Sequence, residues 1–256
     1  MDNTQEKKDP IQDKYYSPLE KAEFCGNILF YGSALLSLVI PLVNKTTYSL
    51  AYTITQSLFV LFVVFFFSVS IVIRLYLIPR AQENRLKDFF SHAYNIPLTD
   101  EQTDGYYNNN ETTPIRRIAA QALENSFYSK DTILQMAKIE RIKVIAYGTL
   151  WLAAILNRNT DLAWVSIGAQ IIFSEQLVSR WLHVEWLRIR YECIYDELFK
   201  LFKSVTKKRN FEVIALEITT RYEIVKSSGQ ITLSKRIFEK RSKSNDKKWE
   251  RVKNII

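Results

Sequence analysis

Two long stretches without charge dominate the first third of the chain. Residues 24–44 contain no charged side chain, and residues 46–73 contain none either. A helix needs about 20 apolar residues to cross the hydrocarbon core of a bilayer. The most apolar part, LFVLFVVFFFSVSIVI at 58–73, has 14 Leu, Ile, Phe or Val residues, which favour insertion by roughly 4–8 kcal/mol. Both stretches are therefore predicted to be transmembrane helices.

Two shorter apolar stretches follow in the second half of the chain. Residues 144–157 and 162–174 are free of charge over 14 and 13 positions. Taken alone, these lengths are typical of core helices or re-entrant segments. Extended to Ser179, the second stretch includes Glu175, and the cost of burying that acid roughly cancels the gain from its apolar residues. We predict a marginal second membrane hairpin over 142–179, with a turn at 157–161, whose insertion depends on partners.

The basic residues are unevenly distributed around these four segments. In chain order, the five sections outside them hold 4, 1, 10, 1 and 19 Lys or Arg residues. The positive-inside rule then predicts four spans with both termini in the cytoplasm. A two-span protein with a cytoplasmic helical hairpin would give nearly the same distribution. The predicted fold class is all-α: a polytopic helical membrane protein with two strong and two marginal transmembrane helices and cytoplasmic helical extensions.

The polar sections complete the predicted organisation. Over 115–143 the apolar residues recur near the 3.6-residue period of a helix, with an interruption at 129–132. From residue 197 onward there are 16 basic and 7 acidic residues, and 235–253 has the pattern of a solvated helix or a disordered tail. The predicted sections are an N-terminal arm 1–23, a first hairpin 24–79, a helical section 80–141 with a loop at 97–114, a second hairpin 142–179 and an amphipathic helix with a basic tail at 180–256.

Composition narrows the function classes. The 256 residues carry a formal charge of +8, which favours an anionic partner. Cys25 and Cys193 match no metal-ligand spacing, and the six scattered glycines form no phosphate-binding loop. His92 and His183 are far apart, and neither belongs to a catalytic motif. We therefore predict no enzyme, no catalytic residue, no metal and no cofactor.

Glu175 is the most informative single residue for a membrane function. An acid within an apolar segment is costly unless it faces water, a partner or a cavity. One interpretation is that the segment simply ends at Ser174. The other places Gln170, Ser174 and Glu175 on one helical face that lines a pore formed by several subunits.

The helix that follows has the composition of a membrane-interface anchor. Residues 177–203 are predicted to form a long amphipathic helix, in which indole rings lie at headgroup depth and guanidinium groups meet phosphates. The predicted anchors are Trp181, Trp186, Arg180, Arg188 and Arg190. The basic tail begins right after this helix and lacks interleaved base-stacking motifs, so lipid headgroups or a soluble partner are favoured over direct nucleic-acid binding.

The chain resembles a group of small membrane effectors. Its two strong spans, the turn GYYNNN at 105–110, the helix AAQALENSFYSKD at 119–131 and the second hairpin are similar to those of pore-forming effectors of bacterial antiphage defence. Those effectors are the four-transmembrane proteins beside nucleotidyltransferase systems and the transmembrane proteins associated with retrons. The resemblance implies an inner-membrane homo-oligomer that stays silent until a soluble sensor or regulatory partner, through a nucleotidyltransferase product or a retron complex, triggers depolarisation and abortive infection.

Two other function classes remain open. The chain could be a non-enzymatic membrane anchor or signalling subunit that recruits a soluble partner. A membrane-embedded enzyme would need polar residues that converge at membrane depth, and only Gln170 and Glu175 offer any.

Overall fold

A computed structural model describes residues 9–104, 109, 111–157, 161–172, 174–204 and 207–255; the side chains of Ala163 and Glu175 lie outside this description. The described residues contain helices and connecting segments and no β-strand. The all-α prediction is confirmed. The α-helices are α1 Ser17–Val39, α2 Ser49–Val72, α3 Ile78–Tyr94, α4 Pro114–Leu156, α5 Leu162–Ile172, α6 Arg180–Lys203, α7 Lys208–Gly229 and α8 Lys235–Lys253.

The chain divides into two compact units. The hairpin unit comprises Ser17–Ile78 and Glu140–Leu182, so it contains α1, α2, the last part of α4, and α5. The bundle unit comprises, among the described residues, 9–16, Pro79–Ile139 and 183–255. Helix α4 contributes to both units without a break, and the beginning of α6 belongs to the hairpin unit.

Helices α1 and α2 form an antiparallel pair. The Asn44 side chain shapes the connection, because its Oδ1 accepts hydrogen bonds from the backbone N–H groups of Thr46 (2.9 Å) and Thr47 (3.2 Å). Between the helices, Gly32 lets the Phe62 ring approach so closely that an added Cβ would lie 2.5 Å from a ring carbon. None of the 24 residues of α2 is buried, which suits a helix whose surroundings are themselves apolar.

Two helical stretches are long and apolar enough to cross a membrane. They are Gln12–Leu42, which contains α1, and Ser49–Tyr94, in which α2 continues through a π-helical turn at Ile73–Leu77 into α3. The two strong segments predicted from the sequence therefore correspond to helices of sufficient length. Among the described residues no other helix meets this criterion, since α5 has 11 residues and is only about 16 Å long.

Helix α4 is a single helix of 43 residues, where the sequence pattern suggested an interruption at 129–132. The interruption concerns the apolar pattern and not the helix, because the polar side chains at 129–132 are accommodated within α4. The Thr132 hydroxyl donates a 3.0 Å hydrogen bond to the Tyr128 carbonyl oxygen, one turn earlier. Ser129 and Thr132 are both buried, so they belong to the face of α4 that packs into the bundle unit.

The bundle unit has a continuous apolar core. Helices α3, α4, α6, α7 and α8 all contribute to it, and the predicted loop at 97–114 corresponds to the connection between α3 and α4. Helices α6 and α7 approach closely at Gly229, where an added Cβ would lie 2.6–2.8 Å from three atoms of Leu187. Large fully buried core residues include Phe89, Ile118, Leu123, Ile133, Leu187, Ile194 and Leu198.

The C-terminal segment 235–253 is a helix that docks onto this core. The sequence left a solvated helix and a disordered tail as alternatives for this segment; it is a helix, exposed at most positions and buried at Asn245 and Trp249. Trp249 and Asn245 are 4% and 2% exposed, one helical turn apart on the inward face of α8. The sequence hides this face because only a few apolar residues occur among many charges, and their partners lie on α4 more than 100 positions earlier.

Candidate functional site

The three predicted pore-lining residues lie at and just beyond the end of α5. Gln170 is exposed on the last turn of α5. Ser174 follows the helix, and its hydroxyl donates a 2.6 Å hydrogen bond to the Ile171 carbonyl oxygen. Glu175 begins a π-helical turn, Glu175–Ser179, and its side chain lies outside the described residues. A lining face formed by these residues in several copies stays a prediction.

Helices α4 and α5 form the short second hairpin. The indole Nε1 of Trp151 on α4 donates a 3.0 Å hydrogen bond to the carbonyl oxygen of Val165 on α5. The ring lies directly over Gly168, where an added Cβ would be 2.7 Å from Trp151 Cδ1. A bulky residue at position 168 would therefore separate the two helices, although α5 itself is short.

A buried carboxylate lies where α4 enters the hairpin unit. Glu140 is 5% exposed, and its Oε1 accepts hydrogen bonds from Lys143 Nζ at 2.9 Å and from Arg180 Nε at 3.4 Å. Its Oε2 is buried and has no hydrogen-bond partner among the described residues. A buried charge of this kind is costly unless it is fully paired, so Glu140 is only partly compensated.

Electrostatic interactions connect this carboxylate to the first apolar helix. Tyr147, Glu140 and Arg180 act electrostatically on the hydroxyl group of Tyr31 on α1, a residue that is 40% exposed. Tyr31 is seven positions inside the charge-free stretch 24–44, about 10 Å along a helix axis. Charged groups on α4 and α6 thus interact electrostatically with a polar side chain of a segment that is otherwise apolar. We call Glu140, Lys143, Arg180, Tyr31 and Tyr147 the Glu140 cluster.

Sequence reasoning missed Glu140 because it lies in the charged run KIERIK, just before the apolar stretch at 144–157. In such a run an acid has the pattern of a solvated surface, and only the fold reveals that it is enclosed. Arg180 was identified as an interface anchor. In the structure its guanidinium group is paired with Glu140.

The other predicted anchors on α6 differ in how their charge is used. Arg188 lies between Glu185 and Glu192, with N–O distances of 3.0 and 3.2 Å, so two carboxylates already neutralise it. Arg190 is exposed, and its guanidinium carbon lies 5.7 Å from the centroid of the Trp186 ring, itself 37% exposed. Trp186 and Arg190 together keep the arrangement expected of an interface anchor, whereas Trp181 is partly buried.

A second polar cluster anchors the loop after α3 in the bundle unit. Asp88 accepts hydrogen bonds from the Thr103 N–H (3.0 Å) and from the Thr103 hydroxyl (2.8 Å), and His92 Nε2 lies 3.1 Å from that hydroxyl oxygen. Burial would raise the pKa of Asp88, but the hydrogen bonds from His92 and Thr103 outweigh it and lower that pKa. The hydrogen bond to Asp88 raises the pKa of His92.

This arrangement differs from a catalytic triad. In a triad the carboxylate binds one ring nitrogen of the histidine and the other nitrogen faces the nucleophile. Here the same atom, His92 Nε2, faces both Thr103 and Asp88, at 3.1 and 3.4 Å. The geometry holds the loop against α3 and does not prepare the threonine for attack.

Comparisons with known proteins add no relative. No protein-family model matches the chain, and no curated protein or solved structure shows significant similarity to it. In the part of the chain that the structure describes, no three His, Cys, Asp or Glu residues are grouped so that they could hold a metal ion.

Proposed function

We propose that this chain is a membrane-permeabilising effector whose hairpin unit, assembled from several copies, opens a pore in the bacterial inner membrane. The observation that carries the proposal is the Glu140 cluster, in which a buried and incompletely paired carboxylate on α4 binds Arg180 at the start of α6. Ionisable residues enclosed among membrane helices generally serve conduction or switching, because their energetic cost is otherwise hard to retain.

In this proposal the Glu140 cluster acts as a latch for the closed state. As long as Arg180 holds Glu140, the start of α6 stays beside α4 and the short α4–α5 hairpin stays in place, while Lys143 on α4 itself offsets part of the Glu140 charge. A signal that favours the open state needs to supply only a few kcal/mol of differential binding. Gln170, Ser174 and Glu175 then line the pore, and both chain termini are cytoplasmic. The antiviral setting and the soluble sensor are part of the proposal because the chain resembles the pore-forming effectors of antiphage defence.

Membrane potential in bacteria that express the full chain tests this function. A voltage-sensitive dye is read for the wild type, Glu140→Gln and Glu175→Ala, with Glu192→Gln as the matched control. Glu192 pairs with Arg188 at an exposed position, so it loses the same charge without touching the cluster. Losing about 2 kcal/mol of charge-assisted hydrogen bonding in the closed state should raise the open population about 30-fold in Glu140→Gln.

The expected outcomes separate the two sites. Glu140→Gln should depolarise cells more readily than the wild type, whereas Glu175→Ala and Gln170→Leu should weaken depolarisation without altering membrane localisation. If Glu140→Gln and the control give the same potential as the wild type, the latch is refuted. If the pore-lining variants keep full activity, the proposed lining face is refuted.

A membrane anchor or signalling subunit is the second candidate. The observation that favours it is that the bundle unit has an extensive core of its own, as expected of a module that recruits a partner. An anchor predicts a normal membrane potential in every variant, including Glu140→Gln. Removing the basic tail from Lys207 onward would be the simplest test of whether the tail recruits a partner. It is a poor test, because it also removes the core residues Phe211, Tyr222 and Trp249 and would unfold the bundle unit.

A further inference from the structure

The outward side of α8 carries a row of basic residues. Arg236, Lys240, Lys243, Lys247 and Arg251 follow one another at spacings of four, three, four and four. At 100° per residue they fall within an arc of about 80°, and the row is about 22 Å long. All five side chains are exposed. We call these five residues the basic face of α8.

The basic face is not neutralised by the protein. None of its five residues forms an ion pair with a carboxylate among the described residues, whereas Arg241 and Lys253 on other sides of α8 pair with Asp131 and Glu250. Acidic side chains on the flank of the row include Asp246, but its carboxylate accepts a 2.8 Å hydrogen bond from the Tyr128 hydroxyl. The basic face therefore presents five exposed basic side chains that form no ion pair among the described residues.

The opposite side of α8 fixes the direction of this row. Arg241 donates two 3.0 Å hydrogen bonds to Asp131 on α4, and Asn245 donates a third of 3.0 Å to the same carboxylate. The Trp249 ring packs against Phe127, with centroids 5.3 Å apart. Because the helix is held by one face, its basic face points consistently away from the core of the bundle unit.

We propose that the basic face of α8 binds the headgroups of anionic phospholipids. A linear row of mobile Lys and Arg side chains matches a plane of phosphates, to which each basic residue adds affinity. Helices α4 and α6 connect the two units covalently. Once the hairpin unit is in a bilayer, this connection therefore gives α8 a high effective concentration of lipid headgroups. The proposal rests on membrane insertion of the hairpin unit, and it does not depend on whether that unit conducts.

The same charges are less suited to nucleic acid. Sequence-tolerant binding of single strands uses exposed aromatic rings on which bases stack. On α8 the two aromatic residues are Phe238 and Trp249, and both rings lie beside Tyr128. Trp249 is 4% exposed, and the 39% exposed Phe238 lies outside the basic row. The basic face itself contains no aromatic residue.

Fluorescence transfer between α8 and the headgroups tests the proposal on the full-length protein. Cys25→Ser and Cys193→Ser remove the two exposed thiols, and Ser244→Cys, an exposed position beside the row, carries the donor dye. The protein is reconstituted into nanodiscs that contain a trace of headgroup-labelled acceptor lipid, with phosphatidylcholine alone or with added phosphatidylglycerol. Transfer should rise with phosphatidylglycerol and fall again at about 1 M salt, where the Debye length is about 3 Å.

Two triple variants of equal net charge provide the comparison. Lys240→Gln, Lys243→Gln and Lys247→Gln together should lower the ratio of lipid-bound to free α8 about 100-fold, from about five-fold per residue. Lys87→Gln, Lys226→Gln and Lys253→Gln, each of which removes a lysine already paired with a glutamate, should leave this ratio unchanged.

The outcomes decide between the possible ligands. Transfer that ignores phosphatidylglycerol, or that falls equally in both triple variants, would overturn the proposal. Duplex RNA is added in a second arm. If it abolishes transfer and binds with the same dependence on Lys240, Lys243 and Lys247, the basic face is a nucleic-acid surface and the lipid assignment is wrong.

Discussion

The hydrogen bonds at Asp131 should control how firmly α8 is docked. The Asp131 carboxylate, 17% exposed, receives two hydrogen bonds from Arg241 and one from Asn245. Asp131→Asn keeps the shape of the side chain but removes its charge and one acceptor. Charge-assisted hydrogen bonds contribute about 1.5–3 kcal/mol, and the 36% exposure of the Arg241 side chain favours the lower end of that range. We expect a loss of about 1.5 kcal/mol.

Hydrogen exchange of α8 measures this loss directly. The helix can open locally without unfolding of the whole bundle unit, and its protection reports the free energy of that opening. A loss of about 1.5 kcal/mol corresponds to roughly ten-fold faster exchange of the amides in 235–253. Asp196→Asn is the control, since it makes the same substitution at an exposed position on α6. Protection within about two-fold of the wild type in Asp131→Asn would refute the reasoning.

A double-mutant cycle and the pH dependence sharpen the prediction. The loss of α8 opening free energy in the double variant Asp131→Asn/Arg241→Met should be about 1 kcal/mol smaller than the sum of the losses in the two single variants. Strict additivity of the two losses would contradict a direct interaction. Burial opposes ionisation of Asp131, but the hydrogen bonds from Arg241 and Asn245 prevail and lower its pKa below 3.8. The stabilisation is therefore present above pH 3.8, and it is lost as pH falls through the folded-state pKa.

Two further predictions concern the loop anchor and the α1–α2 pair. Because the pKa of His92 is raised and that of Asp88 is lowered, we expect the protection of loop 96–104 to be greatest between about pH 4 and 6.5; it should fall above this window as His92 loses its proton, and below it as Asp88 gains one. Gly32→Ala should weaken the α1–α2 pair by about 1–3 kcal/mol, because its Cβ would meet Phe62 at 2.5 Å. Gly26→Ala, with its nearest neighbour at 3.8 Å, is the control. Both glycine variants can be compared by the denaturant needed to separate the helices in detergent, and equal midpoints would contradict the close contact.

The two apolar helices could be predicted from the sequence because their signal is local. A run of 28 residues without charge at 46–73 has few alternatives to a long helix. The break near residue 45 was equally visible, since Asn44 and the threonines after it favour a turn. Helix length beyond the apolar run was not predictable in this way. Helix α2 continues through a π-helical turn at Ile73–Leu77 into the polar α3, although Pro79 follows that turn and would favour an end of the helix.

The docking of α8 depended on contacts that are distant in the sequence, and the continuity of α4 depended on the burial of polar residues. The polar residues at 129–132 weaken a helical pattern when each is considered alone, but Ser129 and Thr132 are buried within α4. For α8, the inward face is defined by Asn245 and Trp249, and a spacing of four with a single large apolar residue is too weak a signal among so many lysines. Its location follows from Asp131, 110 positions away from Arg241.

Glu175 and Glu140 show that the sequence alone does not reveal which acids are buried. Glu175 attracts attention in the sequence because it ends an apolar run, whereas Glu140 is surrounded by charged neighbours and does not. The energetic cost of a carboxylate depends on the atoms around it in space, and Glu140 is enclosed, with Oε2 unpaired among the described residues. Glu140 is therefore the better first target for the closed state, and Glu175 for the conducting path, so the two variants should change membrane potential in opposite directions.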